Sequence, residues 1–184
     1  MSDSSSIETL YSGRFLHLRR RDGWEYAERA NPQGAVVIIA VTPDDRVLMV
    51  EQFRIPIQSR TLEFPAGLVG DLAETADESW QESATRELLE ETGWEAGRMD
   101  DIMGGPTSAG MTNEFMRFAR AGGLRRVNPG AAPEENIVVH EVPRADIANF
   151  VADAIARGLS VDPKVYAGIY FLDHDARGRA PARD

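Results

Sequence analysis

Residues 35–41 read AVVIIAV, an unbroken apolar run rich in β-branched side chains. A strand with one wet face alternates polar with apolar residues, whereas a strand buried on both faces carries a continuous apolar run. This stretch therefore predicts a central strand covered on both sides. Pro43-Asp44-Asp45 then turns the chain into a second core strand at 46–51. Before them, Phe15, Leu16 and Leu18 and then Trp24, Tyr26 and Ala27 flank the turn signal Asp22-Gly23, which predicts an antiparallel hairpin. Further strands are expected at 99–103, 115–121 and 137–142. Residues 104–114 are dense in Gly, Ser and Thr and read as a loop.

Three helices complete the pattern. Thr75 with Glu78 forms a capping-box signal, no Gly or Pro interrupts the chain to Thr92, and Gly93 suits a helix C-terminus. A second helix follows Pro143-Arg144 and carries Ile147, Phe150, Val151, Ala154 and Ile155 as a core stripe closed by Gly158. The third begins at Asp162 as N-cap with Pro163 behind it, and presents Val165, Ile169 and Leu172 on one side. The order of strands, strand-loop-helix, strands, helix and helix predicts a mixed sheet with helices on both faces, an α/β (mixed α+β) class. One domain fits 184 residues: 1–12 mobile, 13–34 N-terminal strands, 35–172 the main body, 173–184 a charged tail.

The chemistry gathers on the first helix. Glu87, Glu90 and Glu91 stand at i, i+3 and i+4, so they crowd one side within a turn, near a C-terminus that already carries partial negative charge. Trp80, Ala84, Glu87 and Glu91 share a face, so two of the acids continue an apolar stripe. One reading is a charged surface helix with Arg86 paired to Glu82 or Glu90. The other is a site for a hard divalent cation, since clustered carboxylates without cysteine or suitably spaced histidine match Mg²⁺, with Mn²⁺ as a substitute.

Composition narrows the partners. A net charge of −10 and a pI near 4.8 exclude nucleic-acid or anionic-membrane binding through a broad basic surface. The absence of cysteine removes disulfides and thiolate zinc sites, and no apolar run approaches membrane-spanning length. The polar, acidic opening MSDSSSIE differs from a secretory or transit peptide, so a cytoplasmic location is expected.

Arg86, Glu87, Leu88, Glu90, Glu91, Gly93 and Trp94, with Glu78 seven intervening residues upstream, resemble the second half of the Nudix hydrolase signature. The first half departs from it: ten residues rather than five separate Gly67 from Glu78, a lengthened loop between strand and helix. The resemblance implies a Nudix α/β/α sandwich. It also implies metal ligands at Glu87, Glu91, Glu90 and the Ala66 carbonyl of Pro65-Ala66-Gly67, with Arg86 holding the glutamates in register. The segment Gln52-Phe53-Arg54 is similar to one in ADP-ribose pyrophosphatases. Arg54 would then offer its fork to a diphosphate or terminal ribose, as against a surface pair with Glu51 or Glu63.

Residues 104–114 are similar to a pocket segment of the same branch, with Ala109 in place of a proline, which makes Ser108 a candidate pocket residue. Pro133-Glu134-Glu135-Asn136-Ile137 resembles the acidic loop that supplies a catalytic base or an additional metal ligand, Glu135 or its rival Glu134, with a glutamate of the acid helix such as Glu90 as the other candidate base. The resemblance implies a homodimer paired through the N-terminal strands, and Trp24 would stack on a base or pack against core or partner. His140 is expected to be structural or exposed. The implied reaction is metal-dependent hydrolysis of a nucleoside diphosphate sugar to two monophosphates, ADP-ribose first and GDP-mannose or another nucleotide sugar second. A nucleotide-sensing module without catalysis is the alternative of another class.

Overall fold

The computed structural model describes residues 6–30, 34–70, 77–127 and 136–181; Thr75, Glu134 and Glu135 lie outside the described residues. In chain order the strands are β1 (Glu8–Ser12), β2 (Leu16–Arg21), β3 (Trp24–Arg29), β4 (Ala35–Ala40), β5 (Arg46–Arg54), β6 (Ser59–Glu63) and β7 (Ala66–Leu68). Helix α1 (Trp80–Thr92) follows, then β8 (Trp94–Glu95), β9 (Arg98–Pro106), β10 (Phe115–Gly122), β11 (Arg125–Arg126) and β12 (Val138–Pro143). Helix α2 (Ile147–Ala156), β13 (Ser160–Val161) and helix α3 (Lys164–Asp173) close the fold.

Two four-stranded sheets form the body, ordered β7-β4-β10-β9 and β12-β5-β6-β13. Both are mixed: β4 with β10 and β6 with β13 run parallel, and the other pairs antiparallel. The apolar run behaves as its pattern requires. Val36, Ile38 and Ala40 pack with Ala84 and Leu88 of α1, while Val37 and Ile39 pack with Val151 of α2 and Val165, Phe171 and Leu172 of α3. β5 divides in the same way, Leu48 toward α1 and Val47 and Met49 toward the other helices. Alternation across a strand thus feeds two separate cores, which fixes α1 on one side and α2 with α3 on the other.

The N-terminal region is a three-stranded sheet, β1-β2-β3, rather than a hairpin alone. Residues 8–12, expected to be mobile, are strand because they pair with β2. Asp22 and Gly23 both have positive φ (50° and 81°), the geometry of the tight hairpin turn read from that dipeptide. β3 carries the 107–114 loop: the Ala27 N–H donates to the Met111 carbonyl at 2.8 Å, Asn113 Nδ2 donates to Glu28 Oε1 at 2.9 Å, and Arg29 pairs with Glu114. Trp24 is 64% exposed with its Nε1 donating to the Gly110 carbonyl at 3.3 Å, so within this chain it anchors the loop rather than entering a core.

Four element details differ from expectation. α1 starts at Trp80, not near Thr75, because Ser79 and Glu82 form their own capping box: Ser79 Oγ accepts from the Glu82 N–H, and Glu82 Oε2 accepts from the Ser79 N–H at 2.8 Å. β9 runs on through Gly104, Gly105 and Pro106, which pair with Arg117, Met116 and Phe115 despite a composition that reads as loop. Ile155 is 51% exposed, off the buried side formed by Ile147, Val151 and Ala154. α3 begins at Lys164, with Asp162 Oδ1 accepting from the Lys164 N–H at 2.8 Å, and its last carbonyls at Phe171 and Leu172 accept from Arg120 and Arg144.

Candidate active site

α1 packs against β7, and the sequence makes that approach possible at one point. A Cβ on Gly67 would stand 2.0 Å from Glu87 Cγ and 2.3 Å from its Cδ, so only glycine lets the strand lie against this carboxylate. One residue earlier, the Ala66 N–H donates to Glu91 Oε2 at 3.1 Å. Glu87 and Glu91 therefore meet the same dipeptide, Ala66-Gly67, held in place by the pairing of β7 with Val36 and Val37 of β4. At the far end of the helix Gly93 (φ 76°) closes the last turn by donating to the Leu89 carbonyl at 2.9 Å.

The acids are held in two ways. Arg86 Nη1 donates to Glu87 Oε1 at 2.9 Å and to Glu90 Oε2 at 3.1 Å, and Arg86 Nε donates to Glu78 Oε2 at 3.3 Å. Burial works against the Arg86 charge, yet Glu87, Glu90 and Glu78 together raise its pKa above the ordinary value. Glu78 also accepts from Ser83 Oγ at 2.9 Å, which fastens the pre-helix residue to the helix.

Glu91 is different. It is only 7% exposed, and burial pushes its carboxyl up to about 8; the negative charges of Glu87 and Glu63 push the same way, against the Ala66 N–H and Arg54.

A cavity of about 530 Å³ opens in front of Ala66 and Gly67, between the two four-stranded sheets. Arg54 lines it and donates in a two-point grip to Glu63, Nε to Oε1 at 2.8 Å and Nη2 to Oε2 at 2.6 Å. The pairing of Arg54 with Glu63 is the one the surface-pair reading named, and the same side chain lines the cavity. Ser108 is exposed and does not line the cavity; its carbonyl closes the loop by accepting from Met111 N–H at 2.9 Å, while Thr107 and Glu114 reach the cavity instead. Glu90 lies with its side chain 50% exposed on Arg86, turned away from Ala66. His140 is structural, its Nε2 3.2 Å from Glu51 Oε2 and its ring against Phe150.

Sequence reasoning missed Arg29, Thr61, Glu63, Glu114, Asp162 and Lys164, which all line the cavity. The signal available was weak: Thr61 and Glu63 alternate with apolar Leu62 and Phe64, so they share the face of β6 opposite the core.

The donor set fits a divalent cation: Glu87 lies directly against Gly67 and Glu91 against the Ala66 N–H, so both offer hard carboxylate oxygens there, and the buried one is short of compensating positive charge. Among the described residues no group of three or more acidic, histidine or cysteine side chains is placed to hold a metal ion. No helix of the described residues is long and apolar enough to cross a membrane.

Comparison with known proteins agrees with this geometry. The chain is 31% identical over 189 residues to an ADP-ribose pyrophosphatase of Mycobacterium tuberculosis, covering 98% of this chain and 87% of the relative. It is 32% identical to a methanol dehydrogenase activator of Bacillus methanolicus, over 70% of each chain. A crystal structure of an ADP compounds hydrolase superposes with a TM-score of 0.69 at 20% identity, covering 91% of this chain and 89% of that one, which supports the fold. The NUDIX domain model matches residues 31–159, and the chain belongs to the Nudix hydrolase family.

Proposed function

We propose that this chain hydrolyses the diphosphate linkage of a nucleoside diphosphate sugar, ADP-ribose first, to AMP and ribose 5-phosphate, using Mg²⁺. The observation that carries the reading is the convergence of Glu87 and Glu91 on Ala66-Gly67 at the wall of a cavity of nucleotide-sugar dimensions, about 530 Å³. The similarity to an ADP-ribose pyrophosphatase along nearly the whole chain supports the choice of substrate.

In this reading Glu87, Glu91 and the Ala66 carbonyl hold the metal, with Glu90 able to join by leaving Arg86. A divalent cation held there would supply charge neutralisation for the diphosphate oxygens and a lowered pKa for a bound water. Arg86 keeps Glu87 in register, and the Ala66 N–H orients Glu91. Arg54, already held flat by Glu63, presents its remaining donors to the diphosphate or terminal ribose. Glu135 or Glu134 takes the proton of the attacking water; both lie outside the described residues.

A homodimer built on the N-terminal sheet belongs to the same proposal. Leu18 lies opposite both Tyr11 and Ala27, and Tyr11, Leu16 and Leu18 are exposed, an apolar sheet face that a second copy would cover. Light scattering after size exclusion should give twice the chain mass, and Leu18→Glu should halve it.

The activity is tested by incubating the protein with ADP-ribose, GDP-mannose, other nucleotide sugars and nucleoside triphosphates, with and without Mg²⁺. Metal-dependent turnover of ADP-ribose is expected. Turnover of triphosphates alone would refute the substrate class, and tight ligand binding without turnover would favour a sensing module.

A further inference from the structure

The cavity has two unlike halves, one on each sheet. Ala35, Leu68 and Met116 belong to the β7-β4-β10-β9 sheet and give one half an apolar wall. Thr61 and Glu63 belong to the other sheet, with Asp162 and Lys164 at the start of α3. Arg54 connects the second half to the acid helix, since Glu63, Glu91 and Asp162 all act on its charge.

Thr61 is the anomaly. It is 5% exposed, its Oγ1 has no hydrogen-bond partner among the described residues, and it lines the cavity. An unpaired buried hydroxyl destabilises a fold, and valine would fill the same volume without that penalty. β13 pairs with β6 at Ser160 and Thr61, and two residues further on Asp162 forms an ion pair with Lys164. A hydroxyl, a carboxylate and an ammonium therefore share this half of the cavity.

We propose that Thr61, with Asp162 and Lys164, forms the subsite for the hydroxyl groups of the sugar attached through the diphosphate, and that Thr61 is a specificity-determining residue. The inference rests on the nucleotide-sugar reading above. A sugar hydroxyl donates and accepts at once, so it can give a proton to Asp162 and take one from Lys164 or Thr61. Lys164 and Asp162 are already paired with each other, so this corner carries no net positive charge of its own and suits neutral hydroxyls better than an anion. A base would find nothing to stack on, because among the described residues no aromatic side chain lines the cavity.

The test compares wild type with Thr61→Val and Lys164→Met on ADP-ribose and on the β-methyl ester of ADP, which keeps adenosine and diphosphate but has no second sugar. Each variant should lower kcat/KM for ADP-ribose about tenfold and for the methyl ester less than twofold. Thr61→Val should also melt no lower than wild type, which a merely structural threonine would not allow. Equal losses on both substrates, no loss on either, or a lower melting temperature for Thr61→Val would overturn the subsite.

Calorimetric binding of ribose 5-phosphate separates this idea from the activity. If wild type hydrolyses neither substrate, the activity reading fails. The subsite then stands if Thr61→Val binds ribose 5-phosphate more weakly than wild type. It falls if the two bind equally or if neither binds.

Discussion

Glu90 and Glu91 are neighbours in sequence and opposites in environment. Glu90 lies half in water on the Arg86 guanidinium, a charge answered from within the helix. Glu91 is buried against Ala66, with a carboxyl pushed up to about 8 by burial and by neighbouring acids. The 100° step between successive helix residues sends one side chain to the surface and the next to the strand. The difference teaches that an acidic run is not one feature: part of it is answered by a cation within the chain, and part is buried where neighbouring acids outweigh the positive charge nearby.

The largest effect should come from breaking the buried member. Glu91→Gln keeps an oxygen for the Ala66 N–H but loses a charged ligand, and kcat should fall about 100- to 1,000-fold in steady-state assays. Next is Gly67→Ala, whose Cβ would stand 2.0 Å from Glu87 Cγ. Displacing that carboxylate by about 1 Å should cost on the order of 100-fold in activity, with the fold intact by circular dichroism. Glu90→Gln should cost only about tenfold, because its exposed ion pair is worth about 1 kcal/mol or less. Equal losses for Glu90→Gln and Glu91→Gln would erase the contrast.

The smallest effect is on stability, and its sign is specific. The folded-state value of Glu91, about 8, lies above its ordinary 4.5, so the folded protein binds the extra proton between those values. Metal-free stability should therefore fall as pH rises through that window and level off above it. Relative to Glu91→Gln, wild type should lose about 1–3 kcal/mol between pH 4.5 and pH 8 in urea melts with chelator. An unchanged difference across the window would mean that burial does not hold the proton on Glu91.

The parts legible in the sequence were those where periodicity and local chemistry agree. Seven apolar residues at 35–41 gave away β4, since its neighbours on both faces are apolar, and the Arg86-to-Gly93 pattern marked the acid helix. The helix start was read early because Thr75 and Glu78 match the capping-box pattern, whereas Ser79 and Glu82, four residues on, form the box that caps α1. β9 was read short because its glycines carry no strand signal, yet they pair with β10.

The cavity was the least legible part. Arg29 meets Glu114 across the sequence, and Thr61 reaches the side of Lys164 only through the pairing of β6 with β13. Such partners are set by tertiary register, which no local pattern encodes. Ser108 illustrates the converse: a segment resembling a pocket loop supplied the cavity with Thr107 and Glu114 on either side of it, not with the residue singled out.

The central claim is that Glu87 and Glu91 together hold a divalent cation against Ala66-Gly67. Titrating Mg²⁺ into metal-free wild type, Glu87→Gln and Glu91→Gln by calorimetry at pH 7.5 tests it without any substrate. Saturable binding by wild type, weakened about tenfold or more in each variant, is the predicted result. Affinities unchanged by both substitutions, or no binding by any of the three proteins, would contradict it.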